Sequence, residues 1–323
     1  MKENVFITGA SGWIGSRLLE KMLINQFNIT ALIRKKNATH LELELKYRNL
    51  HFIESTLEKV DEWKQNLSDI DVLIHLAAKV HTYSKTKKEA LDFDDINHEA
   101  TKKIFIEAEN FGVKRGLFIS SIAVKDLNKE KENKIEYAYA TSKLKAERFL
   151  IELNKTSNML IKIVRPVTLY GGEDKGNFKK LYNLSRFNLF PVIGNGKNLK
   201  TIIYYDDFAE SLLNIVKSSF LSKNEILTIG TETISMNEIA QQFKKNNKNL
   251  IVLKIPIAPL EMLLKILNLI NKKMSLKLSR QLNTLSQSNV YELDEGSKYL
   301  PSKITLFKNI NLKNEYIRNE LEK

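Results

Sequence analysis

The chain has no cysteine among its 323 residues. Disulfides, thiolate metal sites and a cysteine nucleophile are therefore excluded, and the absence is typical of a protein in a reducing cytoplasm. Long apolar runs are missing too, since no stretch approaches the roughly 20 apolar residues that a membrane-spanning helix needs. A predicted strand over residues 5–8 begins almost at once, so we expect no signal peptide and a cytoplasmic location.

Histidine is scarce, and acidic residues are outnumbered by basic ones. The histidines show no metal-ligand spacing, so no metal site is expected from His40, His51, His75, His81 and His98. The formal net charge of +13 could indicate nucleic acid, anionic lipid or phosphorylated substrates as partners. The excess consists mostly of lysines scattered among many asparagines, as the codon bias of an A+T-rich genome would produce. We therefore expect no nucleic-acid partner.

The first half of the chain alternates predicted strands and helices. Strands are predicted over residues 5–8, 29–33, 51–53, within 71–78, 117–120 and 159–165, with helices over 13–23, 97–110 and 139–154. Gly112 is expected to end the second of these helices. The alternation predicts an α/β fold with a doubly wound parallel sheet, in which ligands bind at the carboxyl ends of the strands.

Glycines break up the chain after Pro166, and its character changes there. We expect a dinucleotide-binding domain with the catalytic residues over 1–166. Residues 167–323 are expected to form a smaller C-terminal lobe that mainly binds substrate, with some segments returning to the sheet.

Three glycines occupy the turn between the first strand and the first helix. Gly9 permits the tight turn, Gly12 lets phosphates approach the backbone, and Gly15 lets the helix pack closely. The helix N-terminus offers unpaired N–H groups and a partial positive charge to an anion. The spacing has one more residue between the first two glycines than the usual fingerprint. The sequence predicts a dinucleotide site over this loop, formed by Gly9, Ser11, Gly12, Trp13, Ile14 and Gly15.

The second predicted strand ends in Arg34, Lys35 and Lys36. NAD enzymes generally carry an acidic residue at this place, which binds the ribose 2′-OH. Arg34 can instead meet a 2′-phosphate and stack on adenine. We therefore expect NADP(H) in preference to NAD(H).

Tyr139 and Lys143 stand four residues apart and share one face of a predicted helix. The ammonium is expected to lower the pKa of Tyr139 from about 10 towards neutrality. Tyr139 would then exchange a proton with a substrate oxygen that Ser121 holds, while Lys143 also binds the cofactor ribose. The same spacing occurs at Tyr83, in a lysine-rich loop, and at Tyr299, across a proline that opposes a regular helix.

Other polar and apolar features allow more than one interpretation. Asn97 could cap the start of its helix or support catalysis. Arg165 is expected to fix the chain as it leaves the sheet, and the acidic pair at 206–207 to cap a helix. A capping box at 235–238 predicts a helix through residue 243. The apolar, lysine-flanked helix at 260–270 is expected to be a packing surface, with peripheral membrane contact as the weaker alternative.

These residues resemble the extended short-chain dehydrogenase/reductase family, most strongly through about residue 207. The family's motifs stand here as the glycine loop, His75-Leu-Ala-Ala78, Asn97, Phe118-Ile-Ser-Ser121, Tyr139-x-x-x-Lys143 and Arg165-Pro166. The resemblance implies a Rossmann domain in which Ser121, Tyr139 and Lys143 are catalytic and Asn97 supports them. It also implies further cofactor contacts from Leu76, Ala77, Ala78, Tyr139, Lys143 and Pro166.

Within that family the chain looks most similar to bacterial nucleotide-sugar enzymes, namely UDP-sugar 4-reductases and 4-epimerases of surface-polysaccharide synthesis. Asn177 and Lys200 resemble residues that contact the diphosphate of the substrate. Lys200 stands where arginine is usual, which loses bidentate phosphate recognition but keeps the charge. The resemblance implies a UDP-linked sugar as substrate and a homodimer formed through helices 97–110 and 139–154.

The leading hypothesis is an NADP(H)-using oxidoreductase acting at C4 of a UDP-linked sugar, as a 4-keto-sugar reductase. A UDP-sugar 4-epimerase with tightly bound NAD would use the same residues, and only Arg34 separates the two. An alternative of another class is a non-catalytic dinucleotide-sensing or RNA-binding protein on the same fold. The set of Ser121, Tyr139 and Lys143 argues against it, because a pure binding protein has no need of them.

Overall fold

The structure is a computed structural model that describes residues 2–80, 86–132, 134–172, 176–218 and 226–321. His81 and Tyr83 lie outside these residues. The strands are β1 (Asn4–Thr8), β2 (Asn28–Ile33), β3 (Leu50–Glu54), β4 (Val72–His75), β5 (Arg115–Ile119), β6 (Leu160–Pro166), β7 (Thr168–Tyr170), β8 (Leu189–Ile193), β9 (Leu199–Tyr204), β10 (Ile226–Ile229), β11 (Glu232–Ser235) and β12 (Ile251–Ile255).

The helices are numbered along the chain in the same way. They are α1 (Trp13–Ile24), α2 (Ala38–Lys46), α3 (Val60–Trp63), α4 (Lys87–Asp94), α5 (Ala100–Asn110), α6 (Lys129–Glu132), α7 (Ala138–Thr156), α8 (Asn177–Ser185), α9 (Tyr205–Lys217), α10 (Met236–Asn246), α11 (Ile257–Ile270), α12 (Lys272–Ser286) and α13 (Leu312–Leu321). A π-helical turn (Asp95–Glu99) joins α4 to α5.

The chain divides into two compact units. The first comprises Met1–Val167, Asp206–Ile229 and Leu293–Ser302, and the second comprises Thr168–Tyr205, Gly230–Glu292 and Lys303–Lys323. The first unit is therefore assembled from three separate segments of the chain, two of which come from its second half.

The first unit is built on a seven-stranded parallel sheet with the order β10-β6-β5-β4-β1-β2-β3. β4 and β5 are buried along their whole length, which explains their nearly continuous apolar sequences. The strand order reverses at β1, which lies between β2 and β4. The carboxyl ends of β1 and β4 therefore border the crevice where such sheets bind ligands. The predicted doubly wound α/β fold is confirmed.

β10 is the outer strand on one side of this sheet, and a later segment covers it. The amide of Thr228 donates to both carboxylate oxygens of Asp294, at 2.8 and 3.0 Å. A Cβ on Gly296 would lie 2.5 Å from the carbonyl oxygen of Thr228, so only glycine allows this approach. Covering the strand protects an edge that could otherwise pair with another chain.

The helix predicted over 97–110 begins earlier than expected. α4, the π turn and α5 follow one another without a break from Lys87 to Asn110, so Asn97 lies inside a helical stretch. Of the two alternatives for Asn97, the N-cap is therefore wrong. The helix ends as predicted, because Gly112 has a φ of +76° and its amide donates to the carbonyl of Glu109 at 2.9 Å.

The second unit contains a three-stranded sheet, β11-β9-β7, and a two-stranded sheet, β12-β8. Aromatic rings form much of its core, with Tyr170, Phe178 and Phe307 in mutual contact. The predicted capping box is confirmed, since Ser235 and Glu238 bond each other's backbone amides at the start of α10.

α11 and α12 form a helical hairpin within the second unit. Ser275 of α12 donates its hydroxyl to the carbonyl of Leu264 in α11 at 2.9 Å. Asn271 caps α12 by accepting from the amide of Met274 at 3.0 Å. None of the residues of α11 is fully buried, so the predicted packing surface is limited to its half-buried side, which holds Leu260, Leu264 and Leu267. Across the described residues, no helix combines the length and the apolar character needed to cross a membrane.

Candidate active site

The glycine loop joins β1 to α1 at the carboxyl edge of the sheet. Gly9 has a φ of +78°, in the left-handed region that favours glycine. The amide of Gly12 donates to the Gly9 carbonyl at 3.0 Å and closes the turn. A Cβ on Gly15 would lie 2.0 Å from that same carbonyl oxygen. The folded chain by itself therefore requires glycine at positions 9 and 15.

Gly12 is not required by the fold in the same way. Its φ is −82°, and an added Cβ would meet only the Gly9 carbonyl oxygen, at 3.2 Å. Within the described residues no side chain caps α1, and its first turn holds no acidic residue. The first amides of a helix have no acceptor within the helix, so the start of α1 suits an anion. A bare backbone at Gly12 leaves room for a diphosphate to approach, and the loop therefore fits a dinucleotide.

Pro166 ends β6 opposite Ile229 of β10, at the carboxyl edge of the same sheet. The other predicted cofactor contacts lie at this edge too. They are Ser11 in the loop, Trp13 and Ile14 in the first turn of α1, and Leu76, Ala77 and Ala78 after β4. The amide of Leu76 donates to the Thr8 carbonyl at 3.1 Å, and that of Ala77 to the Thr8 hydroxyl at 3.3 Å. These bonds hold the segment after β4 against the end of β1.

Arg34 is exposed and directly follows β2. Lys36 is already engaged, since its ammonium pairs with Glu44 at 3.1 Å. The sequence missed a carboxylate at this edge: Glu54 ends β3 opposite Ile33, and it accepts from the amide of Lys36 at 2.7 Å. Strand pairing, rather than distance along the chain, brings this acid to the end of β2.

Tyr139 lies in the first turn of α7, and Ser121 follows β5 after one intervening residue. The Ser121 hydroxyl lies near enough to the Tyr139 phenol to influence its pKa, and Ser121 accepts from the amide of Ala123 at 3.3 Å. Burial raises the pKa of Tyr139, and the nearby Ser121 hydroxyl only partly offsets this. The predicted lowering of this pKa is therefore wrong. The phenol is protonated at neutral pH and can donate to an oxygen.

Lys143 lies one turn further along α7 and is fully buried. Its ammonium donates to the Ile119 carbonyl at 2.7 Å and stands 4.5 Å from the centre of the Phe118 ring. Burial lowers the pKa of Lys143 to about 7, although Glu147 acts in the opposite direction.

Asn97 is buried and bonds two different segments of the first unit. Its amide oxygen accepts from the Lys79 amide at 2.7 Å, and its nitrogen donates to the Lys79 carbonyl at 3.0 Å. The same nitrogen donates to the hydroxyl of Ser142, the residue before Lys143, at 3.1 Å. π turns occur frequently at functional sites, and this one directs Asn97 to the segment after β4 and to α7.

His75 has a role that the sequence did not reveal. Its ring is fully buried, with Nδ1 2.6 Å from the Thr8 hydroxyl and Nε2 2.9 Å from the Thr101 hydroxyl. Burial, and secondarily the charge of Lys143, lowers the pKa of His75 to about 3. The neutral ring therefore links β1, β4 and α5. Its position in a buried apolar strand was the available signal, because buried polar groups need partners.

Arg165 and Asp206 both serve the packing of the first unit. Arg165 bonds the buried carboxylate of Glu147 through two nitrogens, one at 2.8 Å, and so ties β6 to α7. Asp206 lies in the first turn of α9, where acidic residues suit the helix dipole, and it pairs with Arg17 and Lys21 of α1. The expected structural role of Arg165 agrees with this contact.

The two residues predicted to hold the substrate diphosphate lie in the second unit. Asn177 is exposed and is the first residue of α8. Lys200 is buried in β9, and its ammonium donates to the carbonyls of Thr284 and Gln287 and to the side chain of Asn289, at 2.8, 2.6 and 2.6 Å. An ammonium has three N–H groups, so a phosphate would have to replace one of these oxygens.

One group of side chains has the composition of a cation site. The potential ligand atoms of Asp94, His98 and Glu99 lie within 4.8 Å of one another. Lys145 and Lys102 pair with the two carboxylates, at 2.9 and 3.1 Å. The group is therefore part of an ion-pair network on the surface of the helices around the π turn.

Comparison with known proteins agrees with this arrangement. The model of the family described as "NAD dependent epimerase/dehydratase family" matches residues 5–230 of this chain. A 4-epimerase of N-acetyl-α-D-glucosaminyl-diphospho-ditrans,octacis-undecaprenol from Escherichia coli O157:H7 is 27% identical over 271 residues, which cover 81% of this chain and 78% of that protein. A UDP-glucose 4-epimerase from Vibrio cholerae is 24% identical over 252 residues, covering 75% of each.

A solved structure shares the fold along almost the whole chain. It is a UDP-glucuronic acid 4-epimerase from Bacillus cereus in complex with UDP-glucuronic acid and NAD. The TM-score is 0.73 at 20% identity, with 99% of this chain and 100% of that chain covered.

Proposed function

The chain belongs to the NAD-dependent epimerase/dehydratase family, and on that premise we propose that it is a 4-epimerase. It inverts the configuration at C4 of a sugar that is linked to a diphosphate, and it uses a bound nicotinamide dinucleotide to do so. The observation that carries the proposal is the Ser121 hydroxyl beside the Tyr139 phenol, one helical turn from the buried Lys143. These groups lie at the same edge of the sheet as the glycine loop.

Each residue of this set has a distinct task. When bound, the dinucleotide supplies an acceptor and donor of hydride at its nicotinamide ring. Tyr139 moves the proton to or from the oxygen on C4 through its hydroxyl, and Ser121 holds that oxygen in place. Lys143 tunes the phenol, because a buried amine with a pKa of about 7 can gain or lose its charge near neutral pH.

The proposed substrate class is a hexose or N-acetylhexosamine joined through a diphosphate to uridine or to a polyprenol. Support comes from the two relatives, whose names specify an undecaprenyl-diphosphate sugar and UDP-glucose. Asn177, at the exposed start of α8, is the better candidate for a contact with the diphosphate. Lys200 would first have to exchange one of its three protein acceptors.

A 4-keto-sugar reductase using NADPH is the second candidate, and Arg34 favours it. An exposed guanidinium at the end of β2 can bind a 2′-phosphate, whereas Glu54 at the end of the neighbouring strand can accept from a ribose 2′-OH. Titration of the protein with NADPH and NADH distinguishes the reductase from the epimerase. For a reductase we expect Arg34→Ala to weaken NADPH binding selectively. For an epimerase with NAD we expect Glu54→Gln to weaken NADH binding instead. If neither change alters the preference, this edge does not select the cofactor.

Tyr139→Phe tests the proposed chemistry, since it removes one oxygen and keeps the ring. We expect turnover to fall by roughly 10²-fold or more, because general acid–base catalysis contributes about that much, while dinucleotide affinity stays near the wild-type value. Tyr137→Phe, two residues earlier in the same segment, is the matched control and should keep its activity. The assay follows C4 inversion of UDP-glucose, UDP-N-acetylglucosamine and undecaprenyl-diphosphate N-acetylglucosamine in separate arms.

Full activity of Tyr139→Phe would contradict the assigned chemistry. The reductase would be favoured if the protein oxidised NADPH stoichiometrically with a UDP-4-keto sugar and did not invert C4 of any of the three sugar substrates. Absence of turnover on all substrates together with salt-sensitive RNA binding would favour the non-catalytic alternative.

A further inference from the structure

α11 presents an apolar face to solvent. The residues of this outer face recur at spacings of three, four and seven, as on one side of a helix, and they are Met262, Leu263, Ile266, Leu269 and Ile270. Met262 is 66% and Leu269 87% exposed. The inner positions Leu260, Leu264 and Leu267 are half-buried, so this side of α11 faces the rest of its unit.

The hairpin is held in place at its base, so its exposure does not result from a loose helix. Lys200 donates to the Thr284 carbonyl in the last turn of α12, and Asn198 donates to the Leu285 carbonyl at 2.8 Å. A cation is favourable at the C-terminal end of a helix. Ser275 ties the two helices together. The outer face is therefore presented by a fixed element.

The charge around the hairpin is strongly one-sided. Residues 251–290 contain six basic residues and a single acidic one, Glu261, which gives the segment a formal charge of +5. Lys254 and Lys265 are exposed. Glu261, Lys265 and Asn268 follow the side of α11 away from the outer face, at helical spacing. An apolar face on a basic helix suits a surface that is apolar inside and negatively charged outside.

The length of α11 decides how it can meet such a surface. Its 14 residues measure about 21 Å, well short of the roughly 30 Å of a bilayer core. A helix of this length with a polar side lies in the plane of the interface. We propose that the α11–α12 hairpin docks on an anionic phospholipid bilayer, with the outer face of α11 at the acyl-chain boundary and the basic residues among the headgroups. This docking goes beyond the proposed catalysis and does not depend on it.

Vesicle flotation of the full-length protein tests the docking. We expect binding to vesicles of phosphatidylcholine with phosphatidylglycerol, and much less to phosphatidylcholine alone or at high salt. Met262→Asp/Ile266→Asp should reduce binding at least roughly tenfold, since each change removes a large apolar contact. Lys254→Glu/Lys265→Glu should remove much of the salt-sensitive part. Leu45→Asp on α2, where leucine is 84% exposed, is the matched control and should bind as wild type.

A second measurement does not depend on the charged variants. The chain has no cysteine, so Ile266→Cys and Leu45→Cys each give one site for an environment-sensitive fluorophore. With anionic vesicles, we expect a blue shift at position 266 and none at position 45. Failure of the wild-type protein to bind anionic vesicles would overturn the proposal. So would unchanged binding by Met262→Asp/Ile266→Asp, or light scattering that shows a dimer which this variant converts to monomers.

Discussion

Gly12→Ala and Gly15→Ala add the same methyl group three residues apart, yet we expect them to fail for different reasons. At Gly15 the new Cβ would lie 2.0 Å from the Gly9 carbonyl oxygen, whereas ordinary contact begins at 3.4 Å. α1 and the loop would have to separate by more than an ångström. At Gly12 the corresponding distance is 3.2 Å, so a shift of a few tenths of an ångström is enough.

The free energies of unfolding should reflect this difference. Overpacking costs about 1–3 kcal/mol and the Gly15 contact is severe, while alanine in a helix regains at most about 1 kcal/mol. We expect Gly15→Ala to lose about 2 kcal/mol or more. Gly12 stands at the N-cap of α1, where exchange for alanine costs only a few tenths to about 1 kcal/mol.

Dinucleotide binding should separate the two variants again. In Gly12→Ala the methyl group would meet the approaching diphosphate, so we expect affinity to fall roughly tenfold or more with little loss of stability. Gly15→Ala should lose both dinucleotide affinity and folding stability. The assays are urea unfolding of dinucleotide-free protein and calorimetric titration with NADH and NADPH. Equal destabilisation by the two variants, or wild-type binding by Gly12→Ala, would refute the division between fold and ligand.

Lys143 and Lys200 give two further tests. The pKa of Lys143 is lowered to about 7 in the folded state while the unfolded value is 10.5, so between these values the unfolded chain holds the extra proton. Wild-type stability relative to Lys143→Met should therefore rise from pH 7 to pH 10, and a flat difference in urea unfolding would contradict the burial argument. Lys200→Met should leave three partly buried oxygens without their donor and cost about 2–4 kcal/mol in thermal unfolding, with Lys254→Met as an exposed control. A large rise in KM without loss of stability would instead favour a direct role for Lys200 at the diphosphate.

Local patterns were sufficient for most of the first unit. The glycine loop, the apolar strands and the Tyr139–Lys143 helix are each specified by short stretches, and the structure places them close to the predicted bounds. The start of the helix around Asn97 was missed because residues 87–96 are mostly charged and show no apolar stripe. A π turn has no simple periodic signature.

Contacts between segments that lie far apart in the chain could not be predicted from the sequence. Nothing near Lys200 indicates that three oxygens of residues 284–289 surround it, and nothing near Arg34 indicates the neighbouring Glu54. The pKa of Lys143 depends on burial among strands that lie far away in the chain. For α11 the apolar sequence suggested a buried packing surface, whereas the structure buries one side of the helix only partly and exposes the other.

The place of β10 has a consequence for how the protein can be made. When residue 167 leaves the ribosome, six of the seven strands of the main sheet exist and β6 is still an open edge. Its partner β10 arrives about sixty residues later, and the covering segment with Asp294 and Gly296 later still. Fragments that stop after β6 would therefore carry an unpaired edge and tend to aggregate. We therefore expect the part of the chain that carries Ser121, Tyr139 and Lys143 to be poorly soluble when it is produced without β10.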